Sequence, residues 1–180
     1  TRRTLAENRV ASLHRYRQRL GELIKTLSIT ERALTISPGF RAALSRALGE
    51  SGDAAGIVGR NPGEVFRQFL ACMMVRLEGS VRHAERGHTC PTREGYSSAD
   101  ELLNDLRTIE GALAESGSRN LADQLIRPVR REVETFRFST VRLDLRENSA
   151  RLTQALTALW RVTSGLKGEP PMVQSEEWKA

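Results

Sequence analysis

Three charged side chains near the end of the chain have the types and spacing of an anion-binding site. Arg142, Asp144 and Arg146 alternate with apolar residues at positions 141, 143 and 145. This period of two predicts a strand near 139–145 with one apolar and one charged face. A guanidinium can grip a phosphate or carboxylate with two hydrogen bonds, so Arg146, at the carboxyl end, could bind such an anion. The row could equally be solvated or self-paired, as polar faces of strands often are.

The histidines and cysteines offer no comparable chemistry. His14 and His83 lie at polar positions of predicted helices, without an acid or nucleophile near enough in sequence to suggest a general base. Cys72 lies in the apolar run FLACMMV and is predicted to be buried, whereas Cys90 lies in a polar loop. His88 and Cys90 are too few ligands for a metal site, so none is predicted there.

The composition is that of an ordinary globular protein with a basic surface. The chain has 180 residues, of which 39% are hydrophobic and 28% charged, and its net charge of +6 is carried almost entirely by arginine. No apolar run is long enough for a membrane span, and the polar N-terminus does not resemble a signal peptide. We therefore expect a cytoplasmic protein. The arginine excess is compatible with an anionic partner but does not specify one.

Hydrophobic periodicity predicts an all-α architecture around the strand. A long helix is expected over 4–27, a second begins with Ser37 as N-cap and Pro38 in its first turn, and a third begins at Pro62. Loops are expected near 49–62, 87–97 and 167–177.

Residues that typically begin or end helices also mark the later helices. The sequence Ser98 to Glu101 predicts a capping box at the start of one helix, and Gly117 its end. Another helix is expected from about Asn120, and Pro128 predicts a kink or a break within it, because proline cannot donate its backbone hydrogen bond.

The predicted strand has no partner in the chain. A single strand leaves its backbone groups unpaired, so the segment is either an extended loop or part of a sheet completed by sequence outside this chain. A strand between two helices is the local pattern of a β/α barrel, whose active-site groups lie at the carboxyl ends of the strands. Arg146 has that position. The chain is thus predicted to be one helical fragment, 1–180, of a larger β/α-barrel enzyme.

The segment around Arg146 resembles a motif of the phosphoenolpyruvate carboxylase family. The family motif is written LDIRQ, then an acid or amide, serine, HT and a helix. The matching residues are Leu143, Asp144, Leu145, Arg146, Ser149 and Thr153. The chain departs from the motif at Glu147, Asn148 and Leu152, where the family has glutamine, an acid and histidine.

The rest of the chain is similar to the same family in order and spacing. Residues 1–28 resemble the helix that follows the family's GGDRDGNP motif, and residues 61–79 resemble the helix beginning PYR, with Val65 or Phe66 in place of tyrosine. The matching residues before the strand are Tyr96, Leu102, Leu106, Ala122 and Asp123. The family's TAHPTE, GGDRDGNP and FHGRGG motifs do not occur in the chain. The resemblance therefore implies an internal piece of the enzyme that is inactive in isolation.

The resemblance implies a specific reaction. Members of the family are large β/α-barrel lyases, usually homo-oligomers, that use Mg²⁺ or Mn²⁺ to add bicarbonate to phosphoenolpyruvate. They form oxaloacetate and phosphate through carboxyphosphate and an enolate, an anaplerotic carbon dioxide fixation. The implied role of Arg146 is catalytic, in binding the substrate phosphate, and that of Arg142 is electrostatic support in substrate binding. This segment alone is expected to bind no metal or cofactor, and its expected partner is the rest of the enzyme.

Two other hypotheses stay open. The chain could be a non-catalytic binding module, in which the arginines between Arg127 and Arg151 form an anion-binding face with salt-dependent affinity. Nucleic acid is not the expected ligand, because no helix-turn-helix pattern is present. Alternatively, the departures at 147, 148 and 152 could mark a diverged relative that acts as a scaffold.

Overall fold

The structure is a computed structural model that describes residues 2–140 and 153–159. The chain divides into two compact units, Thr1–Val141 and Arg142–Ala180. All regular elements of the described residues are helical, which confirms the all-α class. Residues 139 and 140, where the predicted strand would begin, have no regular structure, and the rest of that strand lies outside the described residues. One helical fragment over 1–180 and a loop near 167–177 stay predictions.

The first unit contains seven α-helices among its described residues. They are α1 Arg2–Thr26, α2 Pro38–Ser51, α3 Ala54–Arg60, α4 Val65–Glu85, α5 Ala99–Glu115, α6 Arg119–Leu121 and α7 Arg127–Phe136. A 3-10 turn at Glu31–Ala33 precedes α2, and a π-helical turn at Ala122–Ile126 joins α6 to α7. In the second unit, residues 153–159 are helical. No helix within these described ranges is long and apolar enough to cross a membrane.

Helix α4 is at the centre of the core of the first unit. It packs against α1, α2, α3 and α5. The apolar residues of α4 have helical spacing and form a buried stripe: Phe66, Phe69, Leu70, Met73, Leu77 and Val81. From α2, Phe40 stacks on Phe66 with ring centroids 4.9 Å apart. The apolar face of α1 is buried in the same core, so the two longest helices form the rigid base of the unit.

Two helix ends form as the sequence predicts. Ser37 caps α2, because its Oγ accepts the backbone N–H of Phe40 at 3.4 Å. Beyond α5, Gly117 has the left-handed φ of +84°. The N–H of Ser118 then donates to the Leu113 carbonyl at 2.8 Å, a Schellman motif that satisfies one of the last carbonyls of the helix.

Three local predictions are wrong. The region near 49–62 is not all loop, because α3 lies within it and the complete burial of Ile57 stabilises this short helix despite its two glycines. Helix α4 begins at Val65 rather than Pro62, since Gly63 adopts a left-handed φ of +70° and keeps the preceding turn out of the helix. Ser98 makes no side-chain cap, and Glu101 instead accepts the hydroxyl of Ser97.

Pro128 does not break its helix. The chain stays helical from α6 through α7, and the π-helical turn lies immediately before the proline. Such a wider turn accommodates a missing backbone donor. Val129 and Val133 remain buried against α5, so α7 keeps its predicted apolar face.

Candidate functional site

The predicted anion-binding residues Arg142 and Arg146, with Asp144 between them, lie outside the described residues. The structure describes the chain that leads to them. We call residues 137–140 the exit segment, because they follow α7 directly and precede the LDLRENS stretch. Three sets of contacts fix the exit segment: ion pairs between α5 and α7, an unusual backbone turn at Arg137, and hydrogen bonds to α1.

Ion pairs help to hold helix α7 on α5, and one of them joins Arg107 of α5 to Glu134 of α7 at 2.9 Å. Glu110 of α5 accepts Arg127 Nε at 2.9 Å and also accepts Arg130 Nε. The Glu110 side chain is only 15% exposed. Burial alone would raise the pKa of Glu110, but the hydrogen bonds from Arg130 and Arg127 outweigh it, so the pKa lies below its usual value. This ion-paired cluster fixes the amino-terminal half of α7, the helix that precedes the exit segment.

The cluster predicts a pH-dependent stability. Because the folded pKa of Glu110 is depressed, its contribution is complete above the unfolded pKa and is lost as pH falls through the folded pKa. The substitution Glu110→Gln should lower the free energy of unfolding by about 2 kcal/mol at pH 7, as expected for lost hydrogen bonds to charged groups. That difference should shrink at acidic pH. Urea denaturation at several pH values measures it, with Glu78→Gln, at an exposed position of α4, as the control expected to change little. An E110Q deficit that grows on acidification would contradict the assignment.

The chain leaves α7 through a strained residue. Arg137 has φ 54° and ψ −141°, a conformation that residues with a Cβ rarely adopt. Its backbone is held at both ends: its N–H donates to the Val133 carbonyl at 2.8 Å, and its carbonyl accepts the hydroxyl of Tyr16 at 2.6 Å. Its guanidinium donates to Asp100, which lowers the pKa of that carboxyl. The strain therefore persists because several contacts determine this turn.

The rest of the exit segment lies on α1. Phe138 is 5% exposed, and its ring lies 6.4 Å from that of Tyr16 and 5.3 Å from the Arg9 guanidinium. Asn8 Oδ1 accepts the backbone N–H of Thr140 at 2.8 Å. Residues more than a hundred positions apart thus meet directly before the predicted anion-binding row.

A second polar cluster lines a cavity of about 410 Å³ between α2, α4 and α5. Arg76 donates to Asp105 at 2.8 Å and to Glu101 at 2.9 Å, and its guanidinium lies 4.2 Å from the centroid of the Tyr96 ring. The Tyr96 hydroxyl donates to Asp105 at 2.7 Å. Burial raises the pKa of Tyr96 and that of Asp105. Because these groups satisfy one another, we interpret the cluster as a structural anchor between α4 and α5.

The same anchor holds the loop near 87–97. Ser80 Oγ accepts the Tyr96 N–H at 2.7 Å and donates to the Tyr96 carbonyl at 3.1 Å. The loop lies directly on α4, since a Cβ at Gly79 would overlap the Glu94 carbonyl and a Cβ at Gly95 would lie 2.6 Å from the Arg76 carbonyl oxygen. The backbones of the loop and of α4 are therefore in direct contact, which only glycine permits at these two positions.

The histidines and cysteines are placed as follows. His14 contacts Glu85 at 3.0 Å and His83 contacts Glu94 at 2.5 Å, so each of these histidines has a carboxylate partner that is distant in sequence. Burial raises the pKa of the Cys72 thiol to about 11, and it also raises the pKa of Cys90. Both cysteines are free and buried. Neither thiol is thus poised as a thiolate nucleophile.

The anion-binding row stays a prediction, and sequence reasoning missed the residues that hold the exit segment. Tyr96, Leu102, Leu106 and Ala122, which carry the upstream resemblance, are buried in the core, and Asp123 pairs with Arg127 at 2.6 Å. Asn8 and Arg137 had no signal, because a helix-surface asparagine and an arginine at a helix end are common. The one available signal was Tyr16, whose hydroxyl on an apolar face requires a polar partner.

Comparison with known proteins agrees with the resemblance over nearly the whole chain. The family model described as phosphoenolpyruvate carboxylase matches residues 1–171. A phosphoenolpyruvate carboxylase of Methylorubrum extorquens is 50% identical over 99% of this chain and 19% of its own length. Those of Nocardia farcinica and Aromatoleum aromaticum are 33% and 32% identical, each over 82% of this chain and 16% of their own length. The chain thus spans about a fifth or less of the length of each of these relatives. The chain belongs to the phosphoenolpyruvate carboxylase family.

Proposed function

We propose that this chain is a helical segment of an enzyme that carboxylates phosphoenolpyruvate with bicarbonate to give oxaloacetate and phosphate. The observation that carries the proposal is the match to the family model over residues 1–171, which includes the LDLRENS stretch. The segment alone is proposed to be inactive, because it supplies one part of a site whose parts act together.

In this proposal, Arg146 is the catalytic residue of the segment. Its guanidinium binds the phosphate of phosphoenolpyruvate and stabilises the charge that develops on the phosphoryl group during transfer. Arg142, four residues earlier, raises the positive potential near the same anion.

The metal is proposed to be bound elsewhere in the enzyme. Among the described residues, no group of three or more His, Cys, Asp or Glu side chains could hold a metal ion. These residues therefore do not fit a Mg²⁺ or Mn²⁺ site, which needs several oxygen ligands. We also propose that the enzyme is a cytoplasmic homo-oligomer, as the family resemblance implies.

The alternative of an anion-binding scaffold is less well supported. It requires free guanidinium groups between Arg127 and Arg151. Of the four arginines in the described part of that range, three are paired with a carboxylate: Arg127, Arg130 and Arg137. A charge-compensated face attracts polyanions weakly.

Phosphate release by the full-length protein tests the proposal. With phosphoenolpyruvate and Mg²⁺, phosphate should form only when bicarbonate is also present, and in a one-to-one ratio with oxaloacetate. Bicarbonate-independent release would indicate a phosphatase. A folded protein that releases no phosphate, but binds polyanions in a salt-dependent way, would favour the scaffold.

A further inference from the structure

A cavity lies where α1, the start of α5 and the exit segment meet. Its volume is about 470 Å³, which is within the range of sites that hold small molecules. Both charged and apolar side chains line it, and they come from all three elements. We call it the Arg9 cavity, and its lining includes Leu5, Arg9, Ser98, Ala99, Arg137 and Phe138. All of these residues belong to the described part of the first unit.

Arg9 brings a positive charge to the cavity that no carboxylate of the described residues neutralises. Its guanidinium lies 5.3 Å from the centroid of the Phe138 ring. Its Nε is buried, and no acceptor within the described ranges meets it. The residue as a whole is half-buried and lines the cavity, so a ligand there can reach the guanidinium. A buried charged donor without an acceptor is costly, so this arrangement favours an anion in the cavity.

Arg137 adds a second guanidinium whose charge is already compensated. Its Nη2 donates to Asp100, and the two side chains form an ion pair. The lining arginines and this carboxylate together therefore leave one net positive charge, that of Arg9. Ser98 makes no side-chain cap for α5, so its hydroxyl is available as a further donor. The cavity thus combines one uncompensated charge with a hydroxyl donor and apolar side chains.

This combination favours a carboxylate over a phosphate ester. A guanidinium binds a carboxylate through two parallel hydrogen bonds, and a single carboxylate balances the single uncompensated charge. A phosphate ester carries nearly two negative charges at neutral pH, and balancing both would require the Arg137–Asp100 pair to break. The apolar side chains of Leu5 and Phe138 would meanwhile cover a short hydrocarbon group.

We propose that the Arg9 cavity binds a small organic carboxylate. The Arg9 guanidinium donates two hydrogen bonds to the carboxylate, and the Ser98 hydroxyl donates a third. Leu5 and Phe138 contact the hydrocarbon group. The site consists of residues of the first unit alone and does not involve the predicted anion-binding row. It is also independent of the proposed function, because no step of that reaction uses it.

Hydrogen exchange of the full-length protein, with butyrate as the probe, tests the site. A ligand slows exchange from an opening that releases it by a factor of one plus the ratio of its concentration to its Kd. Peptides that cover residues 99–106 and 133–140 should therefore exchange more slowly in a saturable way, by roughly threefold at twice the Kd. Sodium chloride at equal ionic strength is the blank, because screening acts equally in both samples.

Variants of Arg9 identify the group that binds the probe. Arg9→Gln should abolish the slowing, because it removes both the charge and the planar fork. Arg9→Lys should keep part of it, since the ammonium group retains the charge. Arg17→Gln, at an exposed position of the same helix, should respond as the wild type does.

Ser98→Ala keeps the test decisive if Arg9→Gln does not fold. It leaves the packing of Arg9 on Phe138 intact and should weaken butyrate binding roughly fivefold, as expected for the loss of one hydrogen bond. The melting curve of each variant without butyrate checks its fold. An unchanged Kd in Ser98→Ala would contradict the proposed geometry.

Three outcomes would overturn the proposal. Wild-type peptides that do not respond to butyrate would show that the cavity is not a carboxylate site. An equal response in the wild type and in a folded Arg9→Gln variant would place the probe elsewhere. Inorganic phosphate that acts at lower concentrations than butyrate would overturn the carboxylate assignment. Because no substrate is present, none of these results depends on whether the protein carboxylates phosphoenolpyruvate.

Discussion

Replacing Arg146 by alanine in the full-length enzyme should lower kcat/KM for phosphoenolpyruvate by about 100-fold to 1,000-fold, the range seen when a preorganised charge stabiliser is removed. The guanidinium is proposed to meet the phosphate in the bound substrate and in the transition state, so both KM and kcat should change. Arg146→Lys should recover only part of the loss, because an ammonium group keeps the charge but not the planar fork. Steady-state kinetics with varied phosphoenolpyruvate measures these effects.

The control is an arginine of the same chain that is far from the motif in sequence. Arg17, exposed on α1, should tolerate alanine with little change in activity. If Arg146→Ala were as active as Arg17→Ala, the charged row would be a solvated face, and the role assigned to Arg146 would be wrong.

Replacing Gly79 by alanine should destabilise the chain by about 3 kcal/mol, the upper end for overpacked sites. The new Cβ would overlap the Glu94 carbonyl, a backbone atom that cannot rotate away like a side chain. The loop must therefore lift from α4, which breaks the Ser80–Tyr96 hydrogen bonds and exposes buried Tyr96. Urea denaturation of the 180-residue chain measures the loss.

Gly111→Ala is the matched control for this prediction. Gly111 lies inside α5, and a Cβ there would meet no atom within 4 Å. The same substitution should stabilise the chain by about 0.5 to 1 kcal/mol, because alanine is the better helix former. Equal effects at the two positions would show that close backbone packing at Gly79 does not hold the loop.

The fold could be predicted from sequence wherever a local rule acts alone. The stripes of α1 and α4 follow helical spacing, Ser37 caps its helix within three residues, and Gly117 ends α5 through its own φ. Prediction failed where a distant contact decides. Helix α3 depends on burial of Ile57 against the core, and no pattern within residues 49–62 contains that information.

The candidate site could likewise be predicted from sequence only in part. The chemical motif was visible because Arg142, Asp144 and Arg146 alternate within five residues of sequence. The hydrogen bonds between Asn8 and Thr140 were not visible, since they join residues separated by 132 positions and use only common side chains. Pairing of His83 with Glu94 likewise depends on how the loop folds back onto α4. The predicted site residues form a local sequence pattern, whereas the contacts that hold the exit segment are tertiary and leave no such pattern.

The central claim is that the protein forms a carbon–carbon bond between phosphoenolpyruvate and bicarbonate. The most direct measurement supplies the full-length protein with ¹³C-bicarbonate, phosphoenolpyruvate and Mg²⁺ and follows the products by NMR. We predict ¹³C in the new carboxylate of oxaloacetate, together with an equal amount of free phosphate. Unlabelled pyruvate and phosphate, or unchanged phosphoenolpyruvate with a folded protein, would contradict the claim.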